Sequence, residues 1–174
     1  MADSLHGKRL SLDTNVLLDI AAGYDFAGGF REAFQQMGYS LHCAPGVMAE
    51  LHALSLSGDQ KARTRATVAL DNLILWDVSP IHLTEVEKNY RKNFMNFVEE
   101  RRILPQGEVN DARILADTSI ANIPLLITSD SDILEADPIA LALAFQDAGL
   151  LPVRVAAPRA IWKIYAKSDR RRKH

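Results

Sequence analysis

Apolar residues along the chain fall into short runs separated by polar turns, and the period of each run sets the element it predicts. The first run, Leu10 to Leu12, stops abruptly at Asp13 and predicts a buried strand. Thr14 and Asn15 then lead into Val16-Leu17-Leu18, so residues 14–22 predict a short helix closed by Gly23. Gly28-Gly29 predicts a turn, after which Phe30, Phe34 and Met37 recur at helical spacing as far as Gly38. A second strand is predicted over 39–44. Pro45 and Gly46 open the helix predicted over 47–56, a place that proline tolerates. Gly58-Asp59 starts a helix to residue 72, with Ala62, Ala66, Ala69, Leu70 and Leu73 on its apolar side. Residues 73–78 predict a third strand, ended by Ser79-Pro80. The longest helical pattern covers 84–102, where Val86, Tyr90, Phe94, Phe97 and Val98 recur with Leu83 at steps of three or four and one adjacent pair. Asn110 predicts the N-cap of a helix over 111–121. A fourth strand over 124–128 ends at Ser129-Asp130-Ser131-Asp132. A short helix, a helix over 139–147, a strand over 151–155 and a helix over 160–166 complete the pattern.

Strands that alternate with helices call for a mainly parallel sheet, here five-stranded, covered on both faces. The predicted fold is therefore a three-layer α/β/α domain. It spans residues 1–167 as one unit, with a charged tail over 168–174, and no repeat or linker divides it.

Composition narrows the function. At 174 residues with 48% hydrophobic and 24% charged residues, the chain suits a single domain with a sizeable core. A net charge of -2 gives no global basic field, so any site for nucleic acid must be a local patch. Cys43 is the only cysteine, which rules out an intrachain disulfide and fits a reducing cytoplasm. Residues 1–8 hold no apolar segment of signal-peptide length, and no run nears the ~20 apolar residues of a membrane span.

The acids change the picture. Asp13 and Asp130 end strands, and in an open α/β sheet ligands bind outside the carboxyl ends of the strands. Glu50 lies near the start of the helix after strand two, and Asp111 opens the helix before strand four, so connectivity carries both to the same rim. Asp13 has a plainer reading as a helix N-cap or turn residue. Four clustered carboxylates, however, repel: at ~5 Å and an effective dielectric of ~20, each ionised pair costs about 3 kcal/mol. A divalent cation relieves that repulsion, and oxygen ligands without His or Cys favour Mg²⁺ or Mn²⁺ over zinc. Asp132 either joins this metal site or caps the helix that follows.

The set Leu12-Asp13-Thr14-Asn15, Ala49-Glu50-Leu51, Asp111-Ala112-Arg113-Ile114-Leu115-Ala116 and Leu126-Ile127-Thr128-Ser129-Asp130-Ser131-Asp132 resembles the PIN-domain nucleases, and among them the VapC-like toxins. The resemblance runs in order from about Arg9 to Val155. It implies a Mg²⁺- or Mn²⁺-dependent endoribonuclease whose acidic quartet is Asp13, Glu50, Asp111 and Asp130, with Asp132 a further metal candidate. It also implies polar helpers at Asn15, Thr128 and Ser129, an RNA substrate, and the toxin role in a type II toxin–antitoxin pair. A small antitoxin protein and a second copy of the chain are the expected protein partners, and no membrane is. Asp117 departs from the family, which usually has a small residue there. The Thr84–Arg102 helix and the Ala136–Gly149 segment exceed a minimal toxin.

Other readings remain alongside. A stand-alone PIN-type ribonuclease in RNA processing needs the same quartet. An inactive RNA- or protein-binding scaffold does not need unpaired clustered acids. An aspartyl-nucleophile phosphatase would carry a second Asp where Asn15 stands. No GxGxxG or GxxxxGK[ST] cradles a phosphate. The five histidines are scattered and read as structural or surface residues. Lys61, Arg63, Arg65 and the Arg170-Arg171-Arg172-Lys173 tail read either as solvated charge or as phosphate contacts.

Overall fold

A computed structural model describes residues 8–163, except the side chains of 25–28. Five strands, β1 (Arg9–Leu12), β2 (Ser40–Cys43), β3 (Val78–Pro80), β4 (Leu125–Ile127) and β5 (Arg154–Ala156), form one parallel sheet in the order β3-β2-β1-β4-β5. The helices are α1 (Thr14–Ala21), α2 (Asp25–Gln36), α3 (Pro45–Ser57), α4 (Gln60–Asn72), α5 (Glu85–Glu100), α6 (Val109–Ile120), α7 (Ser131–Leu134) and α8 (Pro138–Asp147). Residues 158–163 are helical too; the rest of the helix expected over 160–166, and the basic tail, lie outside the described residues. The three-layer α/β/α fold expected from the apolar pattern is the one observed.

Strand order decides where the site falls. From β1 the chain steps outward to β2 and β3, then returns across the sheet to β4 on the other side of β1. The gap beyond the ends of β1 and β4 is thus a topological switch point. Right-handed crossovers put α1–α4 on one face and the later helices on the other. Helix packing follows that division: α1 packs on α2, α3 and α4, and α5 packs on α6 and α8. The central strand is the most buried, with Leu10 and Leu12 fully enclosed. Phe30 and Phe34 fill one side, and Phe94 stacks on Phe145 at 4.4 Å to tie α5 to α8. Of the aromatic stripe on α5, only Phe94 is wholly buried, and Tyr90 stays 45% exposed.

Four boundaries differ from the sequence pattern. The third strand is not at 73–78: those residues wind through hydrogen-bonded turns, Trp76 N–H to Asn72 O and Val78 N–H to Leu73 O, and the strand begins at Val78. The apolar run misleads because Ile74 and Leu75 are 94% and 76% exposed, while Leu73 and Trp76 turn inward. Asp77 takes a positive φ of 52°, which extended pairing would not allow. Pro80 is tolerated because β3 is an edge strand. The Gly28-Gly29 turn is instead inside α2. The helix expected from Asn110 starts at Val109 behind Glu108, which frees the Asn110 side chain from capping. The fifth strand is shorter and later than 151–155, since Leu151 is solvent-exposed and pairing begins at Arg154.

Asp117, the acid that departs from the family, faces neither solvent nor the acidic rim. It is fully buried on α6 and pairs with Arg91 of α5 at 3.4 Å. Burial pushes its carboxyl up to about 6, with Arg91 pulling in the opposite direction. Arg91→Met should therefore destabilise the fold at pH 8 by about 1–3 kcal/mol, the cost of stranding a buried polar group. A neutral Asp117 needs no guanidinium, so the loss should shrink as the pH falls below about 6. Urea unfolding of both proteins at pH 8 and pH 5 checks this; an equal loss at both would remove the pair from the account.

Candidate active site

Asp13 is the first residue past the central strand. Its backbone N–H continues the ladder onto Ile127 O at 3.0 Å, so it stays in register with Thr128 at the end of β4. Its carboxylate caps α1 by accepting from Thr14 N–H at 2.7 Å on Oδ1. The other oxygen, Oδ2, accepts from Thr128 Oγ1 at 2.5 Å. The same hydroxyl oxygen accepts from Asp130 N–H at 2.9 Å. One threonine thus sets the spacing between the first and last acids.

Glu50 is held by a similar device. Thr14 Oγ1 donates to Glu50 Oε2 at 2.7 Å, and Asn110 Nδ2 donates to the same oxygen at 3.1 Å. Neither bond engages Oε1. Asn110 lies at a close helix crossing: a Cβ on Gly46 would stand 2.9 Å from Asn110 Oδ1, so a larger residue there would displace the Asn110 side chain. Asp130, Thr128, Asp13, Thr14, Glu50 and Asn110 form one continuous chain of hydrogen bonds, and Asp111 follows Asn110 directly in sequence. The sequence pattern underrated two of these. In the sequence Thr14 stands out only as part of the strand-end motif, and Asn110 predicts a cap, whereas its side chain reaches across to Glu50. The usable signal was a side-chain donor next to each acid.

Asp111 differs from the other three. It lies in the first turn of α6, is almost fully buried, and its Oδ2 has no hydrogen-bond partner among the described residues. Burial first, then the charges of Asp130 and Asp13, push its carboxyl up to about 7, with Glu108 and Glu50 acting in the same direction. Asp13 is also raised: burial outweighs the bonds from Thr128 and Thr14, and Glu50 and Asp130 add to the shift. The four acids therefore lie in one another's field. Among the described residues no three acids, histidines or cysteines stand close enough to hold an ion between them. The fold brings the quartet to one rim without converging it on a point.

The remaining candidates separate. Asp132 sits in the first turn of α7, half-buried, and its backbone N–H donates to Asp130 Oδ1 at 2.8 Å, so Asp130 is the cap and Asp132 is free of that task. Asn15 and Ser129 are exposed beside the acids. His42 bonds Arg9 and Ser40 on the sheet, His52 is on the surface, and the buried Cys43 thiol is pushed up to about 12, out of reach of ordinary thiol chemistry. As a donor set, an all-oxygen rim with one unpartnered buried carboxylate oxygen fits a hard divalent cation. No helix among the described residues is long and apolar enough to cross a membrane.

Comparison with known proteins defines the class at the level of the fold. No protein-family model and no curated protein sequence matches the chain. Solved structures do. The chain is similar to one in the crystal structure of VapBC2 from Rickettsia felis bound to a DNA fragment from their promoter, at 16% identity and a TM-score of 0.58, over 84% of this chain and 98% of that one. It is similar, at 16% identity and a TM-score of 0.57, to a chain of VapBC-1 from nontypeable Haemophilus influenzae, over 87% and 98%. The PIN-like fold implied by the motifs is the fold these chains share with this one.

Asp111→Asn tests the electrostatics without any metal. A carboxyl whose folded pKa is raised binds protons more tightly when folded, so it costs stability once ionised; that cost is full above about 7 and fades as pH falls toward the unfolded value. In chelator, the variant should melt above wild type at pH 8, and the gap should close as pH falls from about 7 toward 4. A variant less stable than wild type at pH 8 would reject the crowded rim.

Proposed function

We propose that the chain is a Mg²⁺- or Mn²⁺-dependent endoribonuclease of PIN type, acting as the toxin of a VapBC-like toxin–antitoxin pair. The observation that carries the reading is Asp111: a buried carboxylate with an unpartnered oxygen, facing three other acids at a switch point. A structural role would give that oxygen a hydrogen-bond donor. Asp13, Glu50, Asp111 and Asp130 are the candidate ligands and would have to draw closer together than they stand here to share one ion, and Asp132 adds a fifth carboxylate to the same rim. When bound, such an ion neutralises a phosphodiester and lowers the pKa of an attacking water.

The residues of the chain do the rest. Thr128 and Thr14 hold the Asp13 carboxylate in one orientation, and Asn110 and Thr14 hold Glu50. Asp111 exchanges its proton close to neutral pH. Lys61 and Arg65, beside the C-terminal end of α1, offer local cations to a phosphate backbone despite the net negative charge. The toxin assignment is supported by the near-complete overlap with chains of two VapBC structures. The expected partner is a small antitoxin that covers the acidic rim.

Purified protein should cut single-stranded RNA with Mg²⁺ or Mn²⁺ and stop when chelator is added. Asp13→Asn and Asp111→Asn should each lose cleavage while remaining folded. At a metal concentration ~100 times the dissociation constant, wild type should gain about 2.7 kcal/mol of stability. An Asp111→Asn protein that cuts RNA at the wild-type rate would overturn the reading.

A further inference from the structure

Arg113 lies on α6 between Asn110 and Asp117, one turn from each. Helix side chains lean toward the helix start, so Arg113 reaches back over the turn that carries Asn110. The close crossing at Gly46 locates it: a Cβ there would meet Asn110 Oδ1 at 2.9 Å and Arg113 Cδ at 3.7 Å. The Arg113 stem and the amide that holds Glu50 thus flank one point on α3, and the guanidinium begins one bond beyond that stem. None of the charges that shift the Asp111 carboxyl is a cation. Arg113 therefore stands at the side of the acidic rim and does not neutralise it.

The positive charge of Arg113 is unmatched within the protein. Its Nε is buried without a hydrogen-bond partner, and among the described residues no carboxylate lies within 4.0 Å of it. Asp117 feels its charge, but that carboxylate already pairs with Arg91 at 3.4 Å. One buried acid thus faces two guanidiniums, and the second is left over. Only Nε of its three nitrogens is enclosed without a partner, so the terminal pair of this half-buried residue is open to solvent. An arginine kept for structure would have its donors met by acceptors. A guanidinium with spare donors on an anchored stem suits a phosphate, whose oxygens it meets with two parallel N–H bonds.

We propose that Arg113 binds a backbone phosphate of the RNA strand, next to the phosphate that is cut. The inference rests on the nuclease reading and adds to it a contact that fixes how the strand lies across the rim. Arg113 stands beside Glu50 and outside the group of acids, so it meets a neighbouring phosphate and not the one being cut. It supplies the positive charge that the rim lacks, and its loss weakens RNA binding more than the chemical step. A phosphate contact sets register and carries no preference for a base.

The test uses the full chain in chelator, so that nothing is cut, and a fluorescein-labelled single-stranded RNA about ten nucleotides long, within the span of ordinary single-strand sites. Arg113→Met keeps an unbranched stem against α3 and removes the charge. Anisotropy titration should show it binding about tenfold more weakly, the loss expected of one charged hydrogen-bonded contact. Its salt dependence should be shallower by about 0.7 in log–log slope, one phosphate fewer on a single strand. Arg113→Lys should restore the slope and only part of the affinity, because a point charge replaces a fork. Making one linkage at a time an uncharged methylphosphonate should reveal one position that costs wild type the same tenfold and costs Arg113→Met nothing further. That position should adjoin the linkage cut once Mn²⁺ is added, and Arg113→Met should then raise KM more than it lowers kcat. Circular dichroism should show both variants folded; should Arg113→Met not fold, Arg113→Lys carries the same methylphosphonate comparison with a smaller loss. If wild type cuts RNA and Arg113→Met binds and cuts as wild type does, the contact is wrong and the nuclease stands. If the variant loses affinity with an unchanged salt slope, or equally for every methylphosphonate strand, Arg113 acts through the fold and the contact is again wrong. If wild type neither binds nor cuts RNA, the nuclease reading fails and takes the contact with it.

Discussion

The bond from Thr128 Oγ1 to Asp13 Oδ2 joins the ends of the two strands between which the sheet reverses its order. Everything at the rim is placed relative to that pair. Asp13 is locked by the β1–β4 ladder on one side and by the start of α1 on the other, so its carboxylate has almost no freedom. Thr128 passes the constraint to Asp130 through its backbone, and Thr14 passes it to Glu50 through its hydroxyl. A site built this way sits on strand ends and helix starts, which gives the rigidity that positioned chemistry needs.

That rigidity carries an electrostatic cost. The acids at the rim lie in one another's field, and Asp13 and Asp111, the two most buried, both respond with a raised proton affinity; Asp111 Oδ2 also has no hydrogen-bond partner among the described residues. Asp117 on the same helix is buried more deeply but has Arg91 beside it. The contrast is local: the fold sets a guanidinium beside Asp117, whereas Asp111 Oδ2 has no hydrogen-bond partner among the described residues. Polar donors at Thr14, Thr128 and Asn110 offset part of the repulsion at Asp13 and Glu50 without neutralising it.

The layered fold and the carboxyl edge were legible because they follow from alternation and connectivity. A strand that ends in Asp, as at Asp13 and Asp130, announces itself in the chain. Strand order was not legible, and with it went the knowledge that β1 and β4 are neighbours. The third strand was misplaced because Ile74 and Leu75 look like core and are surface; apolar character alone cannot distinguish an exposed turn from a buried strand. Asn110 departs from its sequence pattern for a related reason. A polar residue before a helix normally caps it, and only the tertiary approach of α3, permitted by Gly46, gives that side chain Glu50 to hold. The Tyr24–Arg65 contact links residues 41 apart and leaves no local pattern at all.

The central claim is that crowding at Asp111 is what a divalent ion relieves. Its most direct measure is proton release on metal binding, by calorimetric titration of Mn²⁺ into the protein at pH 6 in two buffers of different ionisation enthalpy. Asp111, raised to about 7, is mostly protonated at that pH and must lose its proton to become a ligand. The account predicts release of close to one proton per ion by wild type and a markedly smaller release by Asp111→Asn. Binding that releases no proton, or the same number from both proteins, would contradict it.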